Sequence, residues 1–174
     1  RTILIDVRLS GLLLGQTLHT EAHEIYRALI ESTAFGALTI IKRIEEYGVP
    51  VEEIVNCGGL ASKSKLLMQI YADVTGRSMK VSRSDQTCAL GAAIFGAVAA
   101  GPAVSGFDSV AAVQKVVCGT RKRYKPDPAA HAVYTELYTL YRTLHDAFGT
   151  TTWNGKVNTV MKDLIAIRER QRKA

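Results

Sequence analysis

The sequence predicts an α/β protein in which helices cover a small sheet. Three observations carry that expectation. The apolar run Ile54-Val55-Asn56-Cys57 stops at the pair Gly58-Gly59, and an amphipathic segment begins a few residues later. Short β-branched stretches alternate with stretches whose apolar residues recur at helical spacing. The 174 residues contain no internal repeat and are enough for one domain with a real core.

Composition narrows the class. Apolar residues make up 47% of the chain and charged residues 22%, as in ordinary soluble globular proteins. No apolar run is long enough to span a bilayer, and no basic-then-apolar leader is present. A cytoplasmic protein with no membrane partner is expected. The chain opens on Arg1, so processing or a longer parent polypeptide is expected. The net charge of +6 gathers at Arg121, Lys122, Arg123 and Lys125 and again at Arg168, Arg170, Arg172 and Lys173. Only Tyr124 interleaves with the first group, and Asp163 and Glu169 alternate with the second. That pattern reads as solvated faces, with no nucleic-acid partner. Cys57, Cys88 and Cys118 are odd in number and far apart, so they form no disulfide framework and are expected to be buried thiols.

Taken in order, Thr2–Val7 and Leu12–Thr17 read as extended segments of a covered sheet, punctuated by Gly11 and Gly15. Thr20 is the expected N-cap of a long helix, with Glu21 and Glu24 favoured by the helix dipole. Its small residues Ala34, Gly36 and Ala37 suit close packing, and Gly48 and Pro50 end it. Glu53–Cys57 is a strand. A helix from about Ser64 to Thr75, stopped by Gly76, and a strand Ser78–Ser82 follow. Asp85 is placed to cap the next helix, Ala89–Gly101, whose alanines and glycines bring its backbone close to whatever it packs on. Residues 102–128 read as a loop with one helical piece near Ser109–Gln114. Pro126-Asp127-Pro128 opens a helix over about 129–148, and a last helix covers about 157–170.

The candidate site is the glycine pair. Glycine permits φ > 0 and close approach of a ligand to backbone, and in open α/β sheets ligands sit beyond the carboxyl ends of strands. Gly58 and Gly59 are therefore either the floor of a binding site or an ordinary strand-to-helix turn; the pair alone does not separate the two. Lys63-Ser64 is not a phosphate loop, because Ser62 and Cys57 stand where that motif requires glycine. Helix amides near Ser64 remain a second place for phosphate or adenine. His19 and His23 are four apart but lack a third ligand, and no metal site is expected. His131 and His145 have no catalytic partner, and no nucleophile elbow is present.

Four stretches add a likeness that spacing does not: Gly11–Ala28 (GLLLGQTLHTEAHEIYRA), Asn56–Gly76 (NCGGLASKSKLLMQIYADVTG), Ser84–Gly101 (SDQTCALGAAIFGAVAAG) and Tyr124–Gly149, with the ending VMKDLIAIR. Over nearly its whole length the chain resembles the C-terminal part of the FGGY carbohydrate kinases, nearest their ribulokinase branch. The resemblance implies transfer of the γ-phosphoryl of Mg2+-ATP to a sugar hydroxyl, L-ribulose in this branch. It also implies a fold: a partial actin-like ATPase (ribonuclease H-like) domain over residues 1–120 with a helical C-terminal extension over 121–174. By position, Gly58, Gly59, Leu60 and Ala61 would form the turn beside adenosine. Ser64 stands where the branch usually has Asn, and Lys65 where Pro is common, so the amide that would meet adenine is missing. Ala89–Gly101 would be the closing helix packed beside that turn. The sugar-binding domain and the catalytic Asp would lie N-terminal to Arg1. No catalytic residue is therefore expected here, and the chain alone is expected to be inactive. The alternatives are a stand-alone nucleotide-binding or regulatory module, and an assembly module that forms a homo-oligomer through an uncovered sheet edge.

Overall fold

The computed structural model describes residue 8 and residues 10–173. In chain order the elements are α1 (Ala22–Glu46), β1 (Ile54–Asn56), α2 (Gly59–Lys63), α3 (Lys65–Thr75), β2 (Met79–Ser82), α4 (Thr87–Ala100), α5 (Pro102–Ser105), α6 (Val110–Val117), β3 (Thr120–Tyr124), α7 (Pro128–Gly149) and α8 (Val160–Lys173). They form two compact units: residues 1–50, 73–76 and 127–174, and residues 51–72 and 77–126.

In the first unit α1 packs against α7 through aromatic rings. Phe35 lies 6.1 Å from the ring of Tyr134, 6.0 Å from Tyr138 and 5.4 Å from Tyr141, centroid to centroid. Ile30, Ala34, Leu38 and Ile41 bury the same side of α1. The helix starts one residue later than expected. Thr20 is not its cap; the Thr20 hydroxyl instead accepts from the Thr17 amide at 2.8 Å. Glu21 is the N-cap, and Glu24 reaches back to its amide at 2.9 Å, because a Glu at the third helical position can close a capping box. At α7 the Pro-Asp-Pro expectation holds. The Asp127 carboxylate accepts from the amides of Ala129 (2.8 Å) and Ala130 (3.3 Å).

A second set of bonds fixes where α7 begins. The Asp127 amide donates to the buried Asp73 carboxylate at 2.8 Å, and His131 Nδ1 lies 2.7 Å from the Asp73 carbonyl oxygen. Gly76, at φ +66°, passes directly beneath the His131 ring.

The second unit is a three-stranded sheet ordered β1-β2-β3. β1 and β2 are parallel, with Ile54 opposite Met79 and Asn56 opposite Val81. β3 is antiparallel to β2, and the register breaks between Val81 and Ser82. The central strand alternates, burying Met79 and Val81 against Ala61, Met68 and Ala72. A parallel pair needs a crossover, and α2 with α3 supplies it.

Three expectations change, and one more is not reached by the described residues. Thr2–Val7 falls outside the described residues. Leu12–Thr17 is not a strand; it runs as irregular chain into a turn, with Gly15 at φ +82°. Residues 102–128 are not one loop but contain α5, α6 and β3. β3 escaped because Thr-Arg-Lys-Arg-Tyr shows no apolar alternation; it is an edge strand with four exposed residues, and charge on an edge discourages stray pairing. The three cysteines are exposed rather than buried, each lying at or near the end of a strand or helix.

A Cβ at Gly76 would stand 2.7 Å from His131 Cε1, at a φ that L-residues disfavour. Gly76→Ala is expected to cost more than about 1 kcal/mol in urea denaturation. An unchanged midpoint would show that this contact does not constrain the fold.

Candidate functional site

The carboxyl ends of the two parallel strands carry two loops, and both belong to the second unit. The first is the glycine turn. Gly58 holds φ +88° and ψ 175° as the N-cap of α2, a conformation open to glycine and disfavoured by other residues. A Cβ added at Gly58 or Gly59 would meet no atom within 4 Å, so the backbone faces open space. Leu60 follows, 74% exposed, while Ala61 turns inward to the core. The sequence candidates Gly58, Gly59, Leu60 and Ala61 thus share one turn, with the first three on its surface and the fourth anchoring it.

Ser64 has a different place. Its amide donates to the Leu60 carbonyl at 3.0 Å, and its hydroxyl accepts from the Leu67 amide at 3.2 Å. It caps α3 with its own side chain. The expectation that the amides near Ser64 are offered to a ligand is therefore corrected for the Leu67 amide, which is already satisfied from within the chain.

The second loop, Arg83–Gln86, joins β2 to α4 and is held by a brace that sequence reasoning missed. Arg121 Nη2 donates to the Asp85 carboxylate and to the Arg83 carbonyl, both at 2.9 Å. The Arg83 amide donates to the Gly119 carbonyl at 2.8 Å, and its guanidinium donates to the Val117 carbonyl at 2.9 Å. Asp85 does not cap α4, whose N-cap is Gln86; the carboxylate faces Arg121 on β3 instead. The hydrogen bond from Arg121 holds the Asp85 carboxyl below its ordinary range. No local signal could have revealed this, since the partners lie 36 positions apart and the strand that brings them together was itself unseen.

α4 also departs from expectation. Only Ile94 is buried in it, and a Cβ at Gly91 or Gly96 would meet nothing within 4 Å. Its small-residue surface is open within this chain rather than tightly packed. Gly58, Gly59, Leu60 and Ala61 carry no ionisable side chain, and the exposed Cys57 thiol stands just before them. What the turn offers is exposed backbone beside the Leu60 side chain, which suits a flat organic group lying against peptide. Among the described residues no cluster of three His, Cys, Asp or Glu side chains could hold a metal, and no single helix is long and apolar enough to cross a membrane.

The profile of the FGGY family of carbohydrate kinases, C-terminal domain, matches residues 1–100, which include both loops. The chain belongs to the FGGY carbohydrate kinases. A ribulokinase from Halalkalibacterium halodurans is 49% identical over 172 residues, covering 98% of this chain and 30% of that protein. Among solved structures, a xylulose kinase from Rhodospirillum rubrum superposes with a TM-score of 0.69 at 25% identity, over 82% of this chain and 28% of that one. A Plasmodium falciparum glycerol kinase determined with ADP gives 0.61 at 26% identity, over 74% of this chain and 25% of that one. The chain spans about 30% of the length of the curated relatives it matches. The α/β fold class and the family resemblance read from the four sequence stretches are both borne out.

The brace has a pH signature. Asp85 has a lowered folded-state pKa, so its contribution to stability is present above the ordinary Asp value of about 3.9 and is lost as pH falls through the lowered value. In Arg121→Ala the Asp85 carboxyl carbon is expected to titrate nearer 3.9 by NMR. The same midpoint in both proteins would remove the Arg121–Asp85 contact from the account.

Proposed function

We propose that this chain forms the adenosine-side wall of an ATP-dependent sugar kinase whose acceptor is L-ribulose. The observation that carries the reading is the Gly58–Gly59 turn: open backbone at the carboxyl end of β1, with Gly58 at φ +88°, inside the family match. In this reading Gly58 and Gly59 let the nucleoside lie against peptide, Leu60 covers its flank, and Ala61 ties the turn to the core. Ser64 keeps α3 in place through Leu67, so the base is read by backbone and shape rather than by a side-chain amide. Two supports come from relatives: a 49% identical protein is named ribulokinase, and the glycerol kinase was determined with ADP.

The reaction moves the γ-phosphoryl group to a sugar hydroxyl, releasing ADP and giving L-ribulose 5-phosphate for arabinose breakdown in the cytoplasm. Such transfer relies on positioning and charge stabilisation across a closed cleft. Mg2+ would arrive on the triphosphate, as it does where substrate phosphates supply most of its ligands. The sugar contacts and the catalytic carboxylate would come from polypeptide outside these 174 residues, leaving the isolated chain inactive. Residues 1–120 would be the domain core and 121–174 its extension, with Arg121–Tyr124 of the extension lending an edge strand to the sheet.

Titration of Mg-ATP into the 174-residue chain tests the wall. Saturable binding heat that disappears in Gly59→Asp is expected, because a carboxylate would occupy the open floor and repel phosphate. No binding, or binding that survives Gly59→Asp, would overturn the assignment.

A further inference from the structure

The first unit holds a cleft of its own, of ≈ 220 Å³, between the irregular segment before α1, the start of α1 and the end of α8. No residue of the glycine turn lines it. Arg168 and Arg172 both face into it; they are four apart on α8 and so share one side of the helix. Among the described residues neither has a hydrogen bond or ion pair, whereas Arg170, between them in sequence, is paired with Glu136. Two fixed positive charges thus line one hollow, unpaired among the described residues.

The opposite wall is rich in donors. Gly15, at φ +82°, turns the chain so that Gln16, Thr17 and His19 follow one another into the lining. Their amide, hydroxyl and imidazole groups can each donate a hydrogen bond. One carboxylate, that of Glu24, is also in the lining, and it is already engaged by the Glu21 amide at 2.9 Å in the capping box of α1. Leu13, Ile25 and Ala28 supply an apolar flank.

We infer that this cleft binds a phosphate dianion, either free or as the ester of a small carbon skeleton. Two guanidinium forks match the oxygen geometry of phosphate, and their two charges outweigh the single carboxylate of Glu24. The apolar flank gives an ester's carbon chain somewhere to lie. The cleft is smaller than the roughly 300–1,000 Å³ of drug-sized sites, so the ligand is small. This site is separate from the nucleotide reading and does not depend on it.

The test is calorimetric titration of inorganic phosphate, and in parallel of a pentose 5-phosphate, into the 174-residue chain at matched ionic strength. Saturable binding is expected, weakened about ten- to a hundred-fold in the double variant Arg168→Ala/Arg172→Ala. Both arginines are exposed and, among the described residues, unpaired, so the fold is expected to survive their removal, which circular dichroism checks. Lys162→Ala, an exposed charge on the same helix, and Gly59→Asp should both leave binding unchanged. Tighter binding of the pentose ester than of phosphate would assign the site to an organic ester; equal binding would assign it to free phosphate. Binding that is absent, that survives the double arginine variant, or that vanishes in Gly59→Asp would overturn the proposal.

Discussion

Phe35 is the point on which the α1–α7 unit closes. Its ring meets three tyrosines of α7, and each such aromatic pair adds about 0.5–1.5 kcal/mol beyond the area it buries. The arrangement also brings two phenol groups into a largely apolar setting, where an unmatched hydroxyl would be costly. Both are matched from α1. Tyr134 donates to Glu31 at 2.7 Å and accepts from Arg27 at 3.0 Å, and the Tyr138 oxygen lies 3.1 Å from the Thr39 hydroxyl. Burial and the bond to Glu31 push the Tyr134 phenol up to about 12. Sliding α7 along α1 by one turn would strand these groups. The polar partners therefore fix the register that the rings alone would leave loose, and the bonds from Asp127 and His131 to Asp73 fix the starting point of α7 in the same way.

The candidate site rests on a different principle. Nothing in the glycine turn is reactive; its contribution is backbone brought to the surface by the absence of side chains. Such a floor needs walls that stay in place. Ser64 fixes the start of α3 on one side, while Arg121 fastens the β2–α4 loop to β3 on the other. The Ser64 bond is part-buried and the two Arg121 bonds are exposed; each is modest in strength, and their value here is geometric. In the nucleotide reading proposed above, this division of labour is coherent: one segment would hold the nucleotide in position, and chemistry would be supplied from elsewhere.

How far the sequence could be read depended on where the information was local. Glycine turns, the Pro-Asp-Pro entry to α7 and the apolar spacing of α1, α3 and α7 are written within a few residues, and each was found. β3 was missed because an edge strand made of charged residues carries no alternation, so burial never marked it. Arg121 was missed with it. The capping of α1 was misplaced by one residue because Thr20 and Glu21 are both plausible caps, and only the Glu24 side chain reaching back decides between them. The cysteines were misjudged for a related reason: preference for burial is a property of the residue type, whereas exposure follows from sitting where elements end. For the site, Gly58 to Ala61 were legible as a turn, but the inward role of Ala61 and the capping role of Ser64 needed coordinates.

α4 carries one more consequence. It contains Gly91 and Gly96 in its interior, each worth about 1 kcal/mol less helix stability than alanine, and buries a single large side chain. It packs on α5 and α6 but buries only Ile94, so its amide protons are expected to exchange with deuterium before those of α1. A helix of that kind gains order when a further surface comes to lie against its alanines. Local melting would then report directly on whether that face is covered.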